Sequence, residues 1–598
     1  MTNEEKLGNL IMHENAYFYV KENSAFLSKS KILQIFKAAS EDKKGNYLLK
    51  IEPVSEEFES GKEFRYSVIV FKYNKKAAFI DKPIDDWEES KLAFLCIIDF
   101  EDYIVILRRN ISSISDFLSD FEPLDYSILT SIYISEDTTY EKFTMDNISI
   151  SPSAIRQKML ESSNLQETLS GLGLQNYTLN NARIRQGDQQ IGLALKTSRI
   201  NNLGEKKDIY SIFQWALNVI ALVENHQPTE GFLTSFAKPI NFGDYYQSIV
   251  PNAVLITLSK LYGDFEAGKI RRCFIKYKNK EKNFNLLKYL RGFETYLEVN
   301  HDDDSFQLPH PMISDLNLAI YPKSIRIRSK KLSNVFIEYE NNYTPRILSV
   351  VNYSNSFITT FEDAEFIYTN RKLFKDSRLL GNIDALLKIF VPYPDLLNTI
   401  SEKGSFNTNT TEFSSRSVFG VVENEFKSNF QYFVCDDLSK EWADFIGISD
   451  TEIAFFHAKS SDKILSASAF QDVVGQALKN LGNILPTDDQ FSIKQSLWDG
   501  NYKNGGNITQ IARIRTGQNS HILIDDYKKI KTYPNLNKSV YLVVDFISKS
   551  TLEDRLVKLQ NNVSFAERNE VIQILWFISS LISSCADAGT QVFICCKP

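Results

Sequence analysis

The sequence predicts an α+β multidomain chain: mixed α/β N-terminal and middle domains, followed by a C-terminal α/β sandwich. Three observations carry this. At 598 residues the chain exceeds the length at which a single hydrophobic core stops growing and separate domains form. Strand-like apolar runs and helix-like apolar spacings alternate along most of it. A Ser/Thr/Asn-rich stretch, Ser405–Ser417 (SFNTNTTEFSSRS), sets the last third apart. The expected divisions are 1–150, 151–404, a linker at 405–417, and 418–598.

In the first division, Ser28–Ala39 reads as a helix, with Ile32, Leu33, Ile35 and Phe36 on its apolar side. Tyr47–Ile51, Tyr66–Phe71 and Phe94–Ile98 read as strands. Leu95–Asp99 and Tyr103–Leu107 flank a short acidic turn and read as a hairpin, with Asp99, Glu101 and Asp102 solvated. From 150 to 230 the spacing predicts helices around a polar stretch, Leu165–Asn181. The middle division adds strands at Val335–Tyr339, Ile347–Val351 and Phe357–Phe361. His301-Asp302-Asp303-Asp304 reads as a solvated turn, because adjacent side chains diverge.

Beyond the linker, Phe430–Val434 is a strand, and two apolar runs flank Ser449-Asp450-Thr451-Glu452. Ser and Asp favour turns, and Ile and Phe favour strands, so a hairpin is predicted. Centring the turn on Asp450 and Thr451 pairs residues whose numbers sum to 901. Asp444 then faces His457, with Lys459 two residues further along the same face. Both faces are otherwise apolar, as in a sheet covered on both sides. Ser466 caps a helix from Ala467 to Leu481 that carries Gln471 in its first turns. Strands follow at Ile508–Arg515 and Tyr541–Phe546. A helix over 565–587, capped by a Ser564/Glu567 box, and a strand Gln591–Cys596 finish the chain.

A carboxylate, an imidazole and an ammonium at one sheet end suit metal-assisted phosphodiester cleavage. Strand with Asp444, turn, strand ending in Ala458-Lys459, then helix with Gln471 resembles the PD-(D/E)xK, or restriction-endonuclease-like, superfamily. The resemblance covers roughly residues 415–598. It implies a restriction-endonuclease-like sandwich, with Asp444, His457, Lys459 and Gln471 as the catalytic set. Asp444 and His457 would hold Mg²⁺ or Mn²⁺. The position two before Lys459 is His457 and not the family's Asp or Glu; Asp436, Asp437 and Glu441 are alternative ligands. The resemblance also implies an effector of prokaryotic antiviral defence, with a helicase or another subunit as partner and oligomers possible. The alternative is a non-catalytic nucleic-acid-binding scaffold that keeps a degenerate nuclease fold. His457-Ala458-Lys459 also carries the His-x-Lys pattern of phospholipase-D-type sites, but that family's Asp five residues later is Ile464 here.

The net charge of −7 disfavours indiscriminate nucleic-acid binding and leaves room for local patches. Two are candidates for contacting DNA or RNA: Lys269, Arg271, Arg272, Lys276 and Lys278, and the alternating Arg326, Arg328 and Lys330. Six scattered cysteines have no zinc spacing and read as reduced, buried thiols. The N-terminus is polar and acidic, and no uncharged apolar stretch reaches about 18 residues. A cytoplasmic protein without membrane partners is expected. Nothing resembles a Walker loop or a Gly-x-Ser-x-Gly elbow.

Overall fold

The computed structural model describes residues 1–598 except 42–45, 78–79, 81–83, 112–113, 119, 153, 170–176, 228, 230, 278–279, 303–304, 341–342, 355, 376–379, 382, 439–440 and 505–506. Mixed α and β structure fills two compact units. One is Met1–Asn147 with Gln157–Pro239, the other Ile148–Arg156 with Ile240–Pro598. The break expected at 150 therefore falls near 239, and the middle and C-terminal divisions belong to one unit.

The first unit is built on an eleven-stranded antiparallel sheet running from Asn46–Glu57 to Gln157–Glu161. Alternation along its strands feeds two cores. Val68, Cys96 and Ile98 pack with the helix Ile209–Glu224 on one face. Ile69, Leu95 and Ile97 pack with the helix Lys29–Glu41 on the other. The region read as helical from 150 is mostly strand, at Gln157–Glu161, Tyr177–Gln186, Gln189–Ala194 and Arg199–Asn202. Asp99 is not solvated. It is buried, ion-paired to the buried Lys21 at 2.7 Å, and accepts the Leu27 N–H.

The middle part of the second unit combines six-, three- and four-stranded sheets around one core. Ile347–Val351, expected as a strand, is the start of a helix, Ile347–Tyr353. Ile347 and Val351 lie one turn apart and are buried on its inner side. Asp303 and Asp304 lie outside the described residues.

The C-terminal part holds a seven-stranded sheet. Its strands are β1 (Phe390–Pro392), β2 (Tyr432–Cys435), β3 (Phe445–Ile448), β4 (Glu452–Lys459), β5 (Ile514–Thr516), β6 (Asn537–Ser548) and β7 (Gln591–Lys597). Their order is β1-β7-β6-β4-β3-β2-β5. β2, β3 and β4 form an antiparallel meander, and β4, β6, β7 and β1 run parallel. The helices are α1 (Val418–Phe426), α2 (Ala467–Asn480), α3 (Asp488–Trp498), α4 (Ser520–Ile530), α5 (Lys549–Gln560) and α6 (Arg568–Asp587). α1 covers one face, where Ala454, Phe456 and Ala458 meet Val418, Val422 and Phe426. α2 and α6 pack on each other over the opposite face. Each fully buried aromatic such as Phe456 contributes about 1.5–3 kcal/mol.

The β3–β4 register is the one expected: Phe445 pairs with Phe456 and Ile448 with Ile453. The turn closes with the Ser449 N–H donating to the Glu452 carbonyl at 2.9 Å. Ser466 caps α2 by accepting the Ala469 N–H. The box expected at Ser564 does not form; α6 starts at Arg568 without a side-chain cap. α6 is long and apolar enough to cross a membrane, and most of it is buried inside the fold. All six cysteines are buried and free.

The stretch 405–417 is not a spacer. Phe413 is buried against Phe419, Phe445 and Tyr502. The Gln510 N–H donates to the Thr410 carbonyl, and the Ile400 N–H to the Arg416 carbonyl. The strap lies so close to α1 that a Cβ on Gly420 would sit 2.0 Å from the Ser414 carbonyl oxygen.

Candidate metal centre

The loop from Asp436 to Asp444 joins β2 to β3 and is fixed from three directions. The fully buried Asp436 carboxylate accepts from Lys494 Nζ at 2.6 and 2.7 Å, from Trp498 Nε1 at 2.8 Å and from the Trp442 N–H at 2.7 Å. Lys494 also lies over the Trp442 ring at 4.8 Å. Burial pushes the Asp436 carboxyl up and the Lys494 ammonium down, and each compensates the other. Arg513, buried below the loop, donates to the Cys435 and Asp437 carbonyls at 3.1 and 3.0 Å.

Held this way, the loop brings Asp437, Glu441 and Asp444 together. One carboxylate oxygen from each lies within 4.8 Å of the others. Asp444 Oδ2 accepts the Ala458 N–H at 2.7 Å. Asp437 accepts from the Tyr502 hydroxyl at 2.9 Å and from Lys403 Nζ at 2.7 Å. Burial first, then the charge of Asp437, pushes Glu441 up to about 7. Burial and the same neighbours hold Asp444 well above the usual carboxylate range, against the pull of Ala458 and Lys403. Burial alone would lower the Lys403 ammonium, but Asp437, Asp444 and Glu402 outweigh it and raise it.

Lys459 ends β4, one residue past the Ala458 N–H that holds Asp444. Its Nζ is 3.4 Å from Asp472 and 3.9 Å from Glu402. Gln471, expected with it in the catalytic set, is half-buried on α2 next to Asp472. Asp436 cannot serve as a ligand, because Lys494 and the two tryptophans consume its carboxylate. Asp437 and Glu441 belong to the acidic group, as the sequence allowed.

His457 is not in the group. Regular pairing in the hairpin stops at Phe445, and the Asp444 N–H turns to the Phe456 carbonyl at 3.0 Å. Asp444 therefore does not extend the ladder to face His457. The imidazole is 2% exposed, and its Nε2 has no hydrogen-bond partner among the described residues. Burial alone pushes it down to about 3, so it is neutral at any working pH. Sequence reasoning missed Lys403 and Glu402. They arrive from just ahead of the strap, at the end of the division expected at 151–404, and their only sequence signal was an adjacent pair of opposite charges.

Of the basic patches, Arg271 and Arg272 both pair with Glu338, at 3.1 and 2.6 Å, and Lys269 pairs with Asp264. Lys276 is exposed on its strand, and Lys278 lies outside the described residues. Arg326 and Arg328 share an outward strand face, as expected, and Lys330 is exposed just beyond it. Comparison with known family patterns, curated proteins and solved structures finds no significant match.

Proposed function

We propose that the second unit is a metal-dependent nuclease that hydrolyses phosphodiester bonds of DNA or RNA, on a restriction-endonuclease-like core. The observation that carries the reading is the group Asp437, Glu441 and Asp444 gathered at the end of the central strands beside Lys403, with Lys459 linked to it through Glu402. The order α1-β2-β3-β4-α2, with β6 following after α3, β5 and α4, supports it, Asp444 lying just before β3 and Lys459 closing β4.

The donor set suits the cation. Three carboxylates crowded into a half-buried place, two of them pushed toward the protonated form, are relieved by a divalent charge. An all-oxygen set is the kind Mg²⁺ and Mn²⁺ take. Asp437, Glu441 and Asp444 would hold the ion, which supplies an activated water and neutralises charge on the phosphate. Lys459 is placed to stabilise charge developing on the phosphoryl oxygens. Lys403 balances Asp437, and the Ala458 N–H fixes the direction of Asp444. The role of an antiphage defence effector in the cytoplasm, with a helicase or other sensor subunit as partner, follows from the family resemblance alone.

A second reading, a non-catalytic nucleic-acid-binding scaffold with the same core, is favoured by one observation. The position two before Lys459 carries the sealed, neutral His457 in place of an acid. Cleavage of plasmid, single-stranded DNA and RNA separates the two. Activity with Mg²⁺ or Mn²⁺, lost in EDTA and reduced about 100-fold or more in Asp444→Ala and Lys459→Ala, supports the nuclease. Equal cutting by both variants would place the chemistry elsewhere.

A further inference from the structure

The middle part of the second unit carries a row of alternating cations and aromatic rings that the metal centre does not use. Its base is Ser324–Arg328, the edge strand of the four-stranded sheet. Ile325 and Ile327 are buried in the core, so Arg326 and Arg328 point outward. Across the ladder, Arg326 faces Ala319, and Ser324 faces Tyr321. The small Ala319 leaves room for the Arg326 guanidinium to lie over the Tyr321 ring, 5.4 Å from its centre. Arg328 lies over the same ring at 5.0 Å.

The edge itself gathers the rest. The Ile325 N–H donates to the Tyr368 hydroxyl at 3.2 Å, and the Ile327 N–H to Asn352 Oδ1 at 2.8 Å. Asn352 Nδ2 donates back to the Ile327 carbonyl at 3.0 Å. These bonds dock the helix Ile347–Tyr353 and the strand Phe366–Thr369 against the edge. Tyr353 thereby stands 6.0 Å from the Arg326 guanidinium and is 58% exposed. Arg371 lies over the outer ring at 4.9 Å. The order is Arg328, Tyr321, Arg326, Tyr353, Arg371.

Arg371 reaches this place at a backbone cost. Asn370 and Arg371 form the two-residue turn between Thr369 and Lys372, with φ of 54° and 60°. Glycine is the usual second residue of such a turn. A long side chain in this conformation is strained, and such strain collects at functional positions. Unlike Arg271 and Arg272, none of the three guanidinium groups in the row has a carboxylate partner among the described residues.

The geometry points to this row as a binding surface for single-stranded nucleic acid. It rests on the nuclease reading above and names that reading's substrate class. Three unpaired guanidinium groups meet phosphates, and planar guanidinium and phenol faces stack on bases. Only a single strand offers unstacked bases; a duplex withholds them.

The test is fluorescence anisotropy of the full chain with labelled oligo-dT and oligo-U of about 20 nucleotides, and a duplex of the same length. EDTA keeps cutting out of the measurement. Single strands should bind at least about tenfold tighter than duplex. Three phosphate contacts predict a log–log salt slope of about −2. The exposed double variant Arg326→Ala/Arg371→Ala should weaken binding about tenfold or more and bring the slope to about −0.7. Tyr353→Ala should weaken binding about fivefold with the slope kept. Duplex bound as tightly as single strand, or a double variant within about twofold of wild type, would overturn the assignment. Cleavage with metal is run separately on the same proteins. Metal-dependent cutting of duplex in preference to single strand overturns this inference and leaves the nuclease reading standing. Single-strand binding through the row with no cutting does the reverse.

Discussion

Replacing Lys494, on α3, by Met should be the most damaging conservative change around the metal-centre loop. Met is unbranched and only one atom shorter, so the apolar stem stays packed, and the loss is chiefly electrostatic. Asp436 is fully buried. It would lose the two short Lys494 contacts and keep only the donors from Trp498 and Trp442. Removing one partner of a buried ion pair costs about 3–5 kcal/mol, because the other charge stays behind uncompensated. The abandoned carboxylate can escape by taking up a proton. Its folded pKa, already raised by burial, then rises further above its unfolded value. The folded state binds a proton that the unfolded state does not, so stability falls as pH rises through that window. The slope is about 1.4 kcal/mol per pH unit. Urea unfolding followed by tryptophan emission reads this locally, since Trp442 and Trp498 lie on the pair. The variant should lose the full amount at pH 8 and less at pH 5. The double variant Lys494→Met/Asp436→Asn should be more stable than Lys494→Met alone. A loss below about 1 kcal/mol at pH 8, or one independent of pH, would refute this account of the loop.

Four further outcomes are expected. Glu441, pushed up to about 7, must shed its proton to bind a cation, so Mn²⁺ affinity should rise from pH 6 to pH 8 and vanish in Asp444→Asn; calorimetry showing a flat profile would remove Glu441 from the ligand set. Without metal the same raised carboxyl makes the fold less stable above pH 7 than at pH 5, and added Mn²⁺ should reverse that trend in a thermal scan. His457→Gln should leave Mn²⁺ affinity within about twofold, whereas a loss of about tenfold or more would restore the imidazole as a ligand. Gly420→Ala should cost about 1–3 kcal/mol and open 405–417 to protease, since its Cβ meets the Ser414 carbonyl oxygen at 2.0 Å; unchanged protease resistance would mean the strap shifts freely.

The C-terminal sheet was legible because its signals are local. The turn at Asp450-Thr451 and the apolar runs beside it set the register, and Ser466 announced α2. The places of Asp444 and Lys459 at the ends of the hairpin strands were legible for the same reason. His457 was misplaced because extending the ladder one residue assumed regular pairing, and the chain departs from it at Asp444. Asp437 and Glu441 lie in a loop, where periodicity says nothing about direction; they were legible as carboxylates but not as partners. The strap was misread because Ser, Thr and Asn outweighed Phe406 and Phe413, the two residues that bury it. Ile347–Val351 is rich in β-branched residues and suggested a strand, yet its burial follows a helical turn. The strands from 177 to 202 hide their alternation behind polar residues such as Asn180, which is buried in the sheet.

The strap has a consequence for how such a protein can be divided. From upstream of α1, Lys403 pairs with Asp437 and Glu402 with Lys459, Phe406 and Phe413 fill the core, and β1 adds a further strand to β7. A piece beginning at residue 418 would keep every strand of the meander and lose the counter-charge of Asp437, two aromatic fillers and a sheet edge. A piece that keeps this sheet intact must therefore start before Phe390. That start lies almost thirty residues ahead of the one the composition suggests.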